Sequence, residues 1–139
     1  TQILLSTSPK EILKQKFLLL MTRAEHDFEI SVEFISGTNS FWVPTPLDER
    51  DELNISGIVD IGDDQSQFEK LISLVHEIGH VIFFNEETKF KEHRRILLFE
   101  ESLAWYLGYD YALSNGVEIN LTEYTKCVED ALQLYKETK

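Results

Sequence analysis

The chain has 139 residues, 42% of them hydrophobic, and a formal net charge of −12. That length suits one domain with a real core, residues 1–139, and is too short for a two-lobed architecture. The acidic balance argues against direct nucleic-acid binding, which needs a basic footprint, and against anionic membrane surfaces. It fits solubility or a preference for basic partners.

In chain order, Ser8-Pro9-Lys10-Glu11 reads as a capping box with Pro9 at the first helical position. The helix it opens runs to about His26 and presents Ile12, Leu13, Phe17, Leu20, Met21 and Ala24, with His26 placed to offset the C-terminal dipole. Phe28, Ile30, Val32 and Phe34 alternate with Glu29, Ser31 and Glu33, the period of a half-buried strand. Gly37-Thr38-Asn39 is a turn, and Ser40 to Val43 is a short second strand closed by Pro44 and Pro46. Asp48 to Glu52 reads as an acidic loop, and Asn54 to Ile61 as a third strand ending at Gly62-Asp63-Asp64. A second capping box, Ser66-Gln67-Phe68-Glu69, opens a helix to about Phe84. A further helix is expected over Ile96 to Leu113. A last one, over about Thr122 to Tyr135, carries a core-facing stripe of Tyr124, Cys127, Val128, Ala131 and Leu134.

No apolar run reaches the ~18 residues of a membrane span. Asn54-Ile55-Ser56 and Asn120-Leu121-Thr122 match glycosylation sequons but read as a strand and a helix cap. The single cysteine, Cys127, rules out an internal disulfide and fits a reducing compartment. No signal-like segment is evident, so the expected location is cytoplasmic.

His76-Glu77-Ile78-Gly79-His80 carries the chemistry. Histidines four apart on a helix point the same way and can share one metal. The glutamate between them can take a proton from a water without being a ligand. At about 100° per residue, Leu71, Leu74, Val75, Ile78, Val81 and Ile82 form one stripe, and His76 and His80 fall on the opposite side. Gly79 weakens the helix, and its expected benefit is close approach of another backbone.

A catalytic zinc needs a third protein ligand and an open position. Downstream candidates are Glu86, Glu87, Glu92, His93, Glu100, Glu101 and Asp110. Glu101 shares a helix face with Ala104 and Gly108, small residues that permit close packing. Glu100 lies nearer Phe99, Leu103 and Leu107, where an unpaired carboxylate is costly. Both are plausible ligands, with Glu101 favoured, and His93 reads more simply as a solvated loop residue.

The pair His76-Glu77-Ile78-Gly79-His80 and Glu101-Ser102-Leu103-Ala104 resembles the gluzincin branch of the zincin metallopeptidases. In that branch a glutamate on the next long helix completes the site. The resemblance, spanning about Phe68 to Gly108, implies zinc on His76, His80 and Glu101 with Glu77 as catalytic base. The metzincin pattern does not fit: no third histidine closely follows His80, and the only methionine, Met21, lies upstream. The small size resembles the ImmA/IrrE-like peptidases, intracellular zincins whose family role is cleavage of transcriptional regulators. Trp105 departs from that family, which usually has Asn there. The gluzincin aspartate four residues past the ligand is also missing, so the sequence identifies no partner to orient a zinc histidine.

The expected fold is α+β, a minimal zincin-like domain. It would comprise an N-terminal helix, a small, mostly antiparallel sheet of about three strands, a metal helix, a ligand helix and a C-terminal helix. By the resemblance, Ser56 to Ile61 would be the sheet-edge strand that holds an extended peptide. The expected function is zinc-dependent hydrolysis of a protein or peptide substrate, with Tyr106, Tyr109 and His93 as candidates for stabilising the oxyanion. The alternatives are a non-catalytic zincin-fold module and a metal-free helical interaction domain.

Overall fold

The computed structural model describes residues 8–45, 55–85 and 97–137. Four helices and three strands are present among them, an α+β arrangement: α1 (Pro9–Phe28), β1 (Ile30–Ile35), β2 (Phe41–Pro44), β3 (Gly57–Gly62), α2 (Gln67–Asn85), α3 (Leu97–Ser114) and α4 (Leu121–Glu137). No helix among the described residues is long and apolar enough to cross a membrane. The chain divides into two compact units, with the boundary inside α2 between Leu74 and Val75.

The first unit starts at a capped helix. The Ser8 hydroxyl accepts from Glu11 N–H at 3.2 Å, and Pro9 sits in the first turn. Phe17, Leu20 and Ala24 are buried, whereas Ile12, Leu18 and Leu19 stay exposed. α1 ends at Glu29, which adopts the left-handed conformation (φ 53°, ψ 46°) that stops a helix and turns the chain into β1.

The strand order is β1-β3-β2. β3 pairs with β1 in parallel (Val32 opposite Val59) and with β2 antiparallel (Trp42 opposite Val59). The sheet is therefore mixed, not mostly antiparallel, and β3 is its centre. This corrects the expectation that Ser56 to Ile61 forms a free edge for substrate: the strand's hydrogen bonds are spent on both neighbours. Three contacts enforce the order. Asp63 N–H donates to Ile35 C=O, Asp64 N–H to Gly37 C=O, and Gly62 N–H to Ser40 Oγ. The turn after β1 is thus satisfied by the end of β3, and no β1–β2 hairpin forms.

Ile30, Val32, Val59 and Ile61 are buried on one sheet face, where the Phe17 and Phe34 rings meet at 5.6 Å. Phe41 and Val43 are half exposed on the other face. The Glu25 carboxylate, near the end of α1, accepts from Val32 N–H of β1 at 2.9 Å. The start of α2 shows the reciprocal capping box: Glu69 N–H donates to Ser66 Oγ at 3.1 Å, and Ser66 N–H to Glu69 Oε1 at 2.9 Å.

In the second unit, the later part of α2 runs antiparallel to α3 at very short range. A Cβ added at Gly79 would fall on the carbonyl of Ala104, and one added at Gly108 would fall on that of Val75. Each helix thus supplies one glycine to admit the other's backbone, as the small residues at 79, 104 and 108 led us to expect. Val75, Ile78, Val81, Phe83, Ala104, Trp105 and Ala112 are buried. α4 opens on Asn120, whose Oδ1 accepts from Glu123 N–H at 2.9 Å. Of its expected core stripe, Tyr124 is buried, Cys127, Val128 and Ala131 are half-buried, and the side chain of Leu134 lies outside the described residues. Pro46, the loop Asp48 to Glu52, and Asn54 also lie outside them.

Candidate metal centre

One helical turn of α2 separates His76 from His80, so both imidazoles leave the same side of the helix, with ring centroids 4.6 Å apart. The glycine-mediated approach of α3 places Glu101, one turn before Ala104, beside them. His76 Nε2 stands 2.9 Å from Glu101 Oε1, and His80 Nε2 stands 3.2 Å from Glu101 Oε2. The two Nε2 atoms are 3.1 Å apart. Two imidazole nitrogens and the two oxygens of one carboxylate therefore cluster, and among the described residues His76, His80 and Glu101 are the group able to hold a metal ion.

The separations can be tested against zinc. Three ligands about 2.1 Å from a common centre at tetrahedral angles stand roughly 3.4 Å apart. The histidine–histidine separation, and that from each histidine to its nearer Glu101 oxygen, are shorter than that figure by roughly 0.2–0.5 Å, an amount side-chain torsions can supply. Two neutral imidazoles and one carboxylate form a borderline nitrogen–oxygen donor set of the kind zinc accepts. The residues fit the ion.

Glu101, with 8% of its surface exposed, and Glu77, with 6%, are carboxylates in the buried interior. Burial pushes the Glu101 carboxyl up, but hydrogen bonds and charge from His76 and His80 outweigh it and bring it down to about 2. Burial opposes the charged form of His80. The hydrogen bond and charge of Glu101, with Glu77 and Glu100 behind it, win and raise it above its ordinary value. Glu77 moves the other way for a carboxylate. Burial raises it, His76 and His80 pull against this, and Glu101 adds to the rise. Glu77 Oε2 lies 3.8 Å from His76 Nδ1, outside hydrogen-bond range but next to the triad. A buried carboxyl with raised proton affinity, beside but outside the ligand set, is suited to taking up a proton.

Of the downstream candidates, Glu101 joins the histidines and Glu100 does not; Glu100 is half-buried and acts on His80 through charge alone. Asp110 is exposed. Glu86, Glu87, Glu92 and His93 lie outside the described residues. Neither candidate tyrosine bonds to the triad: the Tyr109 hydroxyl donates to Ile119 C=O at 3.4 Å, and Tyr106 is 64% exposed. Both line a cavity of about 250 Å³ with Trp105 and Tyr124.

Sequence reasoning missed the contribution of Trp105. Its indole lies flat against the His76 imidazole, with centroids 4.1 Å apart and planes 6° from parallel. Its place directly after Ala104 on the packed face of α3 signals burial, but not stacking on His76. The chain matches no protein-family model, no curated protein and no solved structure.

Proposed function

We propose that the chain is a zinc-dependent peptidase of gluzincin type, acting on a protein or peptide in a reducing, cytoplasmic compartment. The observation that carries this reading is the convergence of His76, His80 and Glu101 beside the buried Glu77. A zinc ion held there would polarise the scissile carbonyl and lower the pKa of a water in its open position. His76 and His80 each present Nε2, and Glu101 supplies the one negative charge of the ligand set. Glu77, whose proton affinity burial raises, would accept the proton of the attacking water and pass it to the leaving amine. Burial of both carboxylates keeps bulk water from damping these interactions.

A non-catalytic zinc module is the second reading, and one observation favours it. Among the described residues, nothing accepts a hydrogen bond from His76 or His80 at the ring nitrogen turned away from the triad, a contact usual in tuned catalytic sites.

Elemental analysis of the purified protein, with His80→Ala and Glu101→Ala beside it, tests the site. One zinc per chain, lost in both variants, is the expected result, and no zinc after zinc is supplied refutes it. Turnover of a peptide mixture by the zinc-loaded protein, abolished in Glu77→Gln, separates the peptidase from the module.

A further inference from the structure

The imidazole of His76 lacks the usual device for fixing a metal ligand. Among the described residues its Nδ1 has no hydrogen bond, the Glu77 carboxylate standing 3.8 Å away. A ligating histidine ordinarily donates from its second nitrogen to a carboxylate or carbonyl, which sets the ring's plane and direction. Here the flat face of the ring is occupied instead, by the parallel indole of Trp105.

The indole is itself held in place. Tyr124 of α4 packs edge-on against it, with centroids 5.5 Å apart and planes at 73°, and the Tyr124 hydroxyl donates to Trp105 C=O. Among the described residues Trp105 Nε1–H is buried without a partner, a cost that Phe or Leu would not carry. The position therefore does not use the indole's hydrogen bond. What it uses is the broad aromatic face.

We propose that Trp105 is the positioning residue for His76, stacking to fix the ring plane that a hydrogen-bonded carboxylate would otherwise fix. The inference rests on the zinc reading above. A ligand's lone pair lies in the plane of its ring, so tilting the imidazole moves that lone pair off the point shared with His80 and Glu101. A parallel plate 4.1 Å away blocks the tilt. Through Tyr124, the geometry of the metal site then depends on α4, which supplies no ligand.

The test is the zinc dissociation constant of the full chain by chelator competition, with the visible spectrum of the cobalt(II)-loaded protein as a report on ligand geometry. Trp105→Leu should weaken zinc about 10- to 100-fold and alter the cobalt bands, the range seen when a ligand's support is removed. Trp105→Phe, which keeps a smaller plate, should weaken it about 3- to 10-fold. Val117→Ala, a buried change outside the triad's contacts, serves as the stability control. It should lower the melting temperature and leave zinc affinity within about twofold, far below the effect of lost ligand support. Native affinity and an unchanged cobalt spectrum in Trp105→Leu overturn the proposal, and the same result in Trp105→Phe does so if the leucine variant does not fold. A Val117→Ala loss equal to that of Trp105→Phe also overturns it. No zinc binding by the native chain is a different failure, that of the zinc reading itself.

Discussion

Gly79→Ala tests whether backbone-to-backbone packing sets the candidate metal site. The substitution favours the isolated helix by about 1 kcal/mol. Against that, the new methyl group meets the Ala104 carbonyl, which is backbone on a packed helix and cannot rotate away. Overpacking of this kind costs about 1–3 kcal/mol, and an immovable neighbour places the cost at the top of that range. The net loss is about 2 kcal/mol, a fall of roughly 6 °C in melting temperature for a domain of this size. The candidate metal site suffers more than the fold. Restoring ordinary contact separates α2 from α3 by roughly 1–2 Å, and Glu101 moves with α3. Its contacts of 2.9 Å and 3.2 Å to the histidines then open together. Metal ligand distances tolerate about 0.2 Å, so zinc affinity should fall about 100-fold. Circular dichroism melting of the metal-free protein and zinc competition against a chromophoric chelator measure the two effects separately. A Gly79→Ala protein that melts higher than the native chain and keeps native zinc affinity refutes the reasoning.

Ser66→Ala removes one half of the capping box on α2 and should cost about 1 kcal/mol in urea unfolding; an unchanged midpoint would mean the cap contributes nothing. Glu77→Gln should raise the melting temperature of the metal-free protein at neutral pH, because it removes a carboxylate whose ionised form burial disfavours, and should abolish the proposed peptide hydrolysis; a fall in stability would contradict the raised proton affinity. For the metal-free protein, the Glu101 contribution is present above the ordinary carboxylate value and is lost as pH falls toward about 2. The His80 contribution runs the other way: it is present below the ordinary histidine value and is lost as pH rises through the raised one. Zinc binding at the proposed site would displace the His80 proton, so its affinity should climb with pH through that raised value, and a flat profile in isothermal titration would count against the assignment.

Local signals were the legible ones. Ser8, Ser66 and Asn120 announced helix starts through side chains that bond three residues ahead, a relation that needs no distant partner. The histidine pair was legible for the same reason, since a spacing of four fixes both rings on one side of a helix. The choice of Glu101 over Glu100 could be argued because Ala104 and Gly108 share its face, and small residues mark where another backbone comes near. Sheet order was hidden. The Gly37 turn between β1 and β2 looks like a hairpin connection, yet its backbone groups bond to residues at the end of β3, more than twenty positions away. Pairing of that range depends on which strand can be buried on both sides. Only in retrospect do Ile58, Val59 and Ile61, close together in β3, read as a central strand. The role of Trp105 was hidden too, because one aromatic residue on a packed face looks the same whether it fills space or lies against a histidine.

The Glu25 carboxylate on Val32 N–H bears on how copies of this protein behave together. Among the described residues β1 is an outer strand, and an outer strand's unpaired amides are the template on which another chain can add itself. Glu25 already occupies one of those amides and brings a negative charge to the border. An incoming strand would have to displace it and then sit beside an uncompensated carboxylate. α1 thereby guards the sheet against aggregation, and Glu25→Ala would weaken that guard without touching the core.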